Sequence, residues 1–473
     1  MHVIFLNPQG NFDESDSFWC EHPDFGGQLV YVKETCIAMA RIGVKVDIVT
    51  RLVNDSEWTP FSREIDYYKG QMENLRIIRI PCGGPKFLNK ELLWEHLDEF
   101  TDNILSFYGD DIPDFATGHY GDGGYSAVLL KKKAGINFTF TAHSLGAQKL
   151  DKLGMNVDNF EEMEEKYHFS KRIIAERLTM RYANNIITST LQERMEQYSH
   201  PLYKDTNDVN DDSKFSIIPP GVNTYIFTTE DKIGDNKVYD MVKTKIQGSK
   251  KPYVIVSSRL DEKKNTIGVV KAYALSKELQ NSANLGIFIR GVDDPCANIK
   301  ELPENDQQIL QPILDIIANA NLNDKVTYFN IKTQKELAAT YKCFARQGSV
   351  FALTAFYEPF GLAPIEAAAC GLSVVATKNG GPSEIFEDGS GILVDPFDEK
   401  DISAGLLKGV KEHAHFSKLG IQRVKSKYTW GKTAESYLAT IQKGLDKPHD
   451  KGIELPDLND REFLMKYLKG KKT

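Results

Sequence analysis

The feature that most constrains the fold of this chain is the regular alternation of short apolar runs with amphipathic segments. In the first half the apolar runs are rich in Val, Ile and Phe and end at turn residues, which is typical of buried parallel strands. They span residues 2–6, 46–50, 75–80, 138–141, 186–189 and 215–218. The segment 29–41 places Leu29, Val32, Cys36 and Met39 on one helical face. This order predicts right-handed βα crossovers and a doubly wound sheet.

The second half of the chain repeats the pattern. Strands are expected at 253–257, 286–290, 326–329, 350–353, 373–376 and 392–394, with helices between them such as 265–276, 306–318 and 334–342. Between the halves, Pro219-Pro220-Gly221 ends strands and resists helix formation. The sequence therefore predicts a first domain over 1–222 and a second over 223–445. Both are expected to be Rossmann-like α/β domains that face a cleft at the carboxyl ends of their strands, where such sheets bind ligands. The polar segment 203–214 is expected to be a solvated loop.

Charge and composition exclude several classes of function. The 473 residues include 58 Lys and Arg against 66 Asp and Glu, a formal net charge of −8. A nucleic-acid binder or a polybasic membrane anchor needs the opposite balance, so any anionic ligand must be held by local cations. No apolar run reaches the roughly 20 residues of a membrane helix, and no signal peptide is recognisable. The six cysteines (20, 36, 82, 296, 343 and 370) lack CxxC spacing. These features predict a cytoplasmic protein without a metal site.

Two short strings in the first domain are candidate ligand contacts. Gly26-Gly27-Gln28 precedes the first helix, where glycines let backbone approach a ligand and the helix N-terminus offers free N–H groups. The string equally suits a plain tight turn. His143 and Ser144 follow a strand, which places them at the mouth of the cleft, although a capping or core histidine is the other interpretation. A hydrolase is disfavoured because no GxSxG elbow occurs.

Two strings in the second domain carry charge at strand ends. Arg259 and Lys264 follow the strand 253–257, at the junction with a helix where a phosphate would lie; a solvated charge run would look the same. Glu358 and Glu366 flank a predicted helix start, whose free N–H groups would hold a phosphate between two carboxylates that accept hydrogen bonds from sugar hydroxyls. Helix capping alone is the other role open to Glu358. The turn Asn379-Gly380-Gly381 could also close on the ligand.

Together these strings resemble the retaining glycosyltransferases of the two-Rossmann (GT-B) type, and more narrowly the sucrose-phosphate synthase family. The resemblance extends over nearly the whole chain. It rests on NPQGNF (7–12), HPDFGGQLVYVKE (22–34), HYGDGG (119–124), HSLGAQK (143–149), RIIAERLTM (172–180), IIPPGVNT (217–224) and FALTAFYEPFGLAPIEA (351–367). Ala142 departs from the family, which usually has Gly before the His-Ser pair. The resemblance also implies that residues 446–473 return to the first domain.

The resemblance implies a role for each candidate residue. The catalytic set would be His143, Arg259, Lys264 and Glu358. The donor would be held by Gly27, Arg259, Lys264, Ile331 (uracil), Glu358 (glucose hydroxyls), the amides of Phe360, Gly361 and Leu362, and Glu366 (ribose). The acceptor would be held by Gly26, Gln28, Lys90, Tyr120, Ser144, Lys149 and Arg172.

The implied reaction moves glucose from UDP-glucose to fructose 6-phosphate with retention, giving sucrose 6-phosphate and UDP. No cofactor and no obligatory metal are expected, because no DxD stands at a strand end and Arg259, Lys264 and a helix N-terminus would neutralise the diphosphate. No DxDxT phosphatase motif occurs, so a separate sucrose-phosphate phosphatase is an expected pathway partner. The alternatives are a sucrose synthase, a mannosylfructose-phosphate synthase using GDP-mannose, a nucleotide-sugar hydrolase or epimerase, and a non-catalytic binding homologue.

Overall fold

The chain forms two compact units. A computed structural model describes residues 1–19, 22, 24–70, 73–448 and 452–471; Cys20 lies outside the described residues. Unit 1 comprises Met1–Pro219 and Thr433–Thr473, and unit 2 comprises Pro220–Lys432. Among the helices within the described ranges, none is both long and apolar enough to span a membrane.

Unit 1 is built on an eight-stranded sheet whose central strands are almost fully buried. The order is β3-β4-β2-β1-β5-β6-β7-β8, and only the β3–β4 pair is antiparallel. The strands are β1 (His2–Leu6), β2 (Lys45–Arg51), β3 (Ile65–Asp66), β4 (Leu75–Ile80), β5 (Phe115–His119), β6 (Asn137–Thr141), β7 (Asn185–Thr188) and β8 (Phe215–Ile217). The helices that precede unit 2 are α1 (Gly27–Arg41), α2 (Leu97–Tyr108), α3 (Tyr120–Ala134), α4 (Gly146–Lys152), α5 (Phe160–Tyr167), α6 (Phe169–Tyr182) and α7 (Leu191–Gln197).

Unit 2 is built on a six-stranded parallel sheet. The order is β11-β10-β9-β12-β13-β14. The strands are β9 (Tyr253–Val256), β10 (Asn284–Phe288), β11 (Val326–Phe329), β12 (Val350–Leu353), β13 (Ser373–Thr377) and β14 (Ile392–Val394). The helices are α8 (Asp235–Lys245), α9 (Thr266–Leu275), α10 (Lys277–Ser282), α11 (Pro295–Asn298), α12 (Glu304–Asn319), α13 (Gln334–Ala345), α14 (Leu362–Ala369), α15 (Gly381–Ile385), α16 (Glu399–Lys411) and α17 (His413–Lys427).

The sequence analysis predicted twelve of these strands and missed two. The short β3 lies at the sheet edge, but β5 is central, between β1 and β6. Its residues Thr117, Gly118 and His119 interrupt the apolar run that would have indicated a strand. Gly118 is required there, because a Cβ at this position would lie 2.7 Å from the Cα of Gly124 in α3. The prediction of a solvated loop over 203–214 is wrong for Tyr203, which is fully buried.

The boundaries between the two units lie at other residues than the sequence predicted. The predicted divisions followed residues 222 and 445, whereas the structure has them after Pro219 and Lys432. Helix α18 (Trp430–Leu445) runs through the second division, so no loop marks it in the sequence. Its later part belongs to unit 1, where the Tyr437 hydroxyl lies 2.6 Å from Thr141 Oγ1. Helix α19 (Arg461–Gly470) adds Leu464 to the same core.

The two ends of unit 2 lie side by side. Val222 N–H donates to Tyr428 O at 2.9 Å, and Val222 and Thr429 form a parallel bridge. Gly221 permits this approach, because a Cβ there would lie 2.1 Å from the Trp430 nitrogen. Unit 2 is therefore an insertion whose entry and exit are paired with each other.

Candidate active site

A cavity of about 1040 Å³ opens at the carboxyl ends of β9, β10 and β11 in unit 2. The strand order changes direction at β9, and doubly wound sheets bind ligands at such a switch point. Arg259 and Ile331, both predicted donor residues, line the cavity. Arg290 and Lys332 also line it, and the sequence analysis missed them because each is an isolated cation outside any motif. Four carboxylates, Asp261, Glu262, Glu301 and Asp306, line the cavity as well, so an anionic ligand would depend on contacts with individual cations and not on the charge of the whole lining.

Lys264 and Glu358, predicted to share the donor site, form an ion pair. Lys264 Nζ lies 2.6 Å from Glu358 Oε2, and the two side chains are 23% and 12% exposed. Each keeps polar atoms for a ligand, since an ammonium has three donors and a carboxylate accepts several bonds. The structure therefore brings these two predicted catalytic residues together.

Asn265 fixes the segment that carries Lys264. Its backbone is left-handed, with φ +54°, and its side-chain amide donates to Thr354 O at 3.1 Å and Pro396 O at 2.8 Å. Lys263 O in turn accepts from Phe356 N–H at 3.0 Å. These bonds tie the end of β9 to the end of β12. These contacts explain why an asparagine, Asn265, directly follows Lys264 in the sequence.

The second half of the Glu358 string opens α14 as predicted. Gly361 is the N-cap residue at φ +113°, and the first turn from Leu362 leaves N–H groups without intrahelical acceptors. Glu366 lies farther along the helix, where burial raises its pKa to about 7. The Phe360 ring contacts Tyr428, with centroids 6.1 Å apart, so the Phe360 backbone is the part that remains for a ligand.

The glycine turn 379–381 lies directly behind Glu358. Glu358 N–H donates to Asn379 O at 3.1 Å, and Gly381 N–H donates back to Glu358 O at 2.8 Å. A Cβ at Gly380 would lie 2.1 Å from Glu358 O, and one at Gly381 would lie 2.2 Å from Phe360 O. The turn therefore supports the Glu358 segment by close backbone packing.

The three cations predicted to bind the acceptor, Lys90, Lys149 and Arg172, lie near one another in unit 1 but have different partners. Asp24 pairs with the Lys90 ammonium and also accepts from Lys90 N–H at 3.0 Å. Lys149 lies over the Tyr167 ring at 4.4 Å and has no carboxylate partner within the described part of the chain. Burial, and then the charges of Arg172 and Lys90, lower the pKa of Lys149. Lys149 is therefore the cation of this site that a bound anion would stabilise.

Arg172 is held by a carboxylate that the sequence analysis missed. Glu176 is fully buried and accepts from Arg172 Nε at 2.9 Å, from Gly146 N–H at 2.9 and 3.0 Å, and from the Tyr203 hydroxyl. Arg172 Nη2 donates to Ser144 O at 2.7 Å, and its guanidinium lies 4.6 Å from the centre of the Tyr120 ring. This leaves Arg172 Nη1 available to an anion.

The glycine string lies at the start of α1, as predicted. Gly26 is its N-cap residue, and the Gln28 amide donates to Asp24 O at 3.5 Å. A Cβ built on Gly27 would meet nothing within 4 Å. Packing within the protein therefore does not require glycine at this position, and its bare backbone is open to a ligand.

Two predicted site residues in unit 1 have left-handed backbones. Tyr120 has φ +64° and His143 has φ +56°, a region that non-glycine residues seldom occupy and that concentrates at functional sites. His143 is half-buried, and burial lowers its pKa to about 3. It is therefore neutral at physiological pH.

No group of three or more His, Cys, Asp or Glu side chains with metal-binding geometry occurs among the residues that the structure describes. The described cysteines, 36, 82, 296, 343 and 370, are free thiols.

Two family models match the chain. Residues 1–246 match the first GT-B domain of sucrose synthase, and residues 241–422 match the glycosyl transferases group 1. Among solved structures, a sucrose-phosphate synthase from Thermosynechococcus elongatus covers 94% of this chain and 98% of its own, with a TM-score of 0.62 and 21% identity. Anabaena HepE in complex with UDP and glucose covers 94% and 100%, with a TM-score of 0.58 and 12% identity. The chain is thus a glycosyltransferase with the GT-B fold.

The sequence relatives narrow this class. A probable sucrose-phosphate synthase from Thermosipho melanesiensis is 45% identical over 94% of this chain and 97% of the relative. The sucrose-phosphate synthase of Spinacia oleracea is 32% identical over 93% of this chain, which spans 47% of that longer relative. The chain belongs to the sucrose-phosphate synthase family.

Proposed function

We propose that this glycosyltransferase transfers glucose from UDP-glucose to fructose 6-phosphate with retention, releasing UDP. The observation that carries the proposal is the group of three cations, Lys90, Lys149 and Arg172, in one acceptor site of an acidic protein. Lys90 is neutralised by Asp24 and Glu91, and Arg172 by Glu176. Burial, and then the charges of Arg172 and Lys90, destabilise the charged form of Lys149. A phosphorylated sugar would bring Lys149 a counter-charge, whereas free fructose would not.

The donor site supports a nucleotide sugar. Arg259 and Lys264 would contact the diphosphate, and the α14 N-terminus would add N–H donors to it. Glu358 would accept hydrogen bonds from glucose hydroxyls while its ion pair with Lys264 is kept. Lys264, held by Glu358, and the N–H groups of α14 are in place before the reaction. They would face the charge that develops on the leaving phosphate, an arrangement that lowers a transition-state barrier.

The proposed chemistry is a front-face displacement. The bond from glucose C1 to the β-phosphate oxygen breaks, and a bond from C1 to the acceptor hydroxyl oxygen forms on the same face. The acceptor proton passes to the departing phosphate oxygen. No step needs a metal, because Arg259 and Lys264 carry the charge compensation. The product, sucrose 6-phosphate, would be dephosphorylated by a separate protein.

The test is UDP release from UDP-glucose with fructose 6-phosphate, with fructose, and with no acceptor, each with and without a chelator. We expect release that needs fructose 6-phosphate and is unchanged by the chelator, and a product with the α-glucosyl configuration by NMR. Release with fructose alone would assign a sucrose synthase, and release without any acceptor would assign a hydrolase. If UDP-glucose is inert while GDP-mannose or ADP-glucose reacts, the donor assignment is wrong. Arg259→Ala is the inactive control.

A further inference from the structure

The backbone at His143 forms an unusually tight turn. Ser144 N–H donates to Ala142 O at 2.6 Å, which closes a three-residue turn around His143 at φ +56°. Such γ-turns with positive φ are rare and strained for a residue with a side chain. The strain persists only where surrounding groups hold the residue in place. Arg172, which donates to Ser144 O, holds one side of the turn.

The His143 ring is held from the other side by a second histidine. His119 Nδ1 lies 2.9 Å from His143 Nε2, and His119 Nε2 lies 2.8 Å from Thr117 Oγ1. The chain of hydrogen bonds can run in either direction, but in both cases it occupies His143 Nε2. The remaining ring nitrogen, Nδ1, is then the one that can face a sugar.

His119 itself cannot reach a substrate. It is fully buried at the end of β5, where its ring stacks on Phe5 with centroids 5.3 Å apart. Burial and the neighbouring His143 lower its pKa well below the ordinary value. Both rings are therefore neutral, so the contact between them is a hydrogen bond without charge repulsion.

We propose that His119 is a positioning residue, which orients the His143 ring through its Nδ1 and presents His143 Nδ1 to the transferring sugar. The inference rests on the proposed function, in which His143 contacts that sugar. Loss of the bond frees the ring to rotate and lets the strained turn relax. Turnover then falls, while binding of the acceptor phosphate, which involves other residues, is retained.

The test compares two replacements that each keep a different half of the His119 side chain. In His119→Asn the amide nitrogen or oxygen occupies the place of Nδ1, so the bond to His143 can form but the stacked ring is lost. In His119→Phe the ring still stacks on Phe5, but no polar atom faces His143. Steady-state kcat and both KM values are measured for each variant, with thermal unfolding to confirm that it is folded.

We expect His119→Phe to lower kcat at least tenfold, while KM for the acceptor changes less than threefold. For His119→Asn we expect a kcat within about threefold of the wild-type value. The opposite order, with Phe active and Asn impaired, would show that His119 only fills the core and would overturn the inference. Equal activity of both variants would overturn it as well. If His119→Phe fails to fold, His119→Gln replaces it, because the longer amide reaches the Nε2 position and should behave like Phe. If His119→Asn fails to fold, His119→Phe decides alone, and a kcat within about threefold of the wild type overturns the inference. The wild-type assay tests the proposed function separately, and any donor with measurable turnover suffices for this comparison.

Discussion

Glu176→Gln tests how much the buried carboxylate that pairs with Arg172 contributes to the stability of the protein. Gln keeps the size of the side chain and can still accept from Gly146, but it removes the charge that faces Arg172. Arg172 is only 4% exposed, so its guanidinium would be left buried without a counter-charge. Breaking a buried ion pair on one side costs about 3–5 kcal/mol. For a unit of this size the lower figure corresponds to a fall in Tm of about 6–12 °C.

The assay is thermal unfolding of the whole chain, together with KM for fructose 6-phosphate. We expect the fall in Tm and a higher KM, because Arg172 no longer has a fixed position. Glu161→Gln is the matched control: its pair with Arg461 spans 2.6 Å, but the side chains are 79% and 45% exposed, so about 1 kcal/mol or less should be lost. The double variant Arg172→Met, Glu176→Leu should regain stability over Glu176→Gln but not acceptor binding. A Tm for Glu176→Gln within about 2 °C of the wild type would refute the reasoning, since 1 kcal/mol moves Tm by about 2–4 °C.

Lys149→Met should raise KM for fructose 6-phosphate by about 10–100-fold, because a charged hydrogen bond contributes about 1.5–3 kcal/mol. KM for UDP-glucose should stay unchanged, and the control Lys152→Met, exposed on the same helix, should change neither KM. Gly380→Ala should lower kcat by about 100-fold through displacement of the Glu358 segment, whereas Gly389→Ala, at φ +77° with open space around it, should cost about 1–2 kcal/mol of stability at unchanged kcat. Burial raises the pKa of Glu366 from its ordinary 4.5 to about 7, so its protonated form contributes stability that is fully present below pH 4.5 and is lost as the pH rises through 7. Glu366→Gln should therefore raise Tm at pH 8 but not at pH 5, and an equal gain at both pH values would contradict this.

Local sequence patterns predicted most of the fold and the charged ends of strands. The runs 253–257 and 350–353 are apolar and β-branched, so their strands and the residues after them could be located without a structure. Arg259, Lys264 and Glu358 lie three, eight and five residues after the ends of these strands. Strand β5 could not be found this way, because it lies in the sheet centre through its pairing with β1 and β6 and not through apolar composition.

The residues that hold the site side chains in position could not be identified from the sequence. His119 contacts His143 24 positions away and Glu176 contacts Gly146 30 positions away, and nothing in their own neighbourhoods indicates these partners. Only the pair of Glu176 with Arg172, four positions apart on one helix, has a spacing that the sequence shows. The division inside α18 was hidden for a related reason, since a continuous helix gives no boundary signal. The contacts of Asn265 with Thr354 and Pro396 join segments even farther apart.

The paired ends of unit 2 have a consequence for how the protein is made. Unit 2 is complete once residue 432 has been synthesised, whereas unit 1 waits for α18 and α19. Because the chain is synthesised at about 5–20 residues per second, synthesis of unit 2 delays the completion of unit 1 by roughly 10–40 s. During that time the surfaces that Tyr437 and Leu464 later cover stay exposed on the nascent chain. Unit 1 thus begins folding first on the ribosome and finishes last.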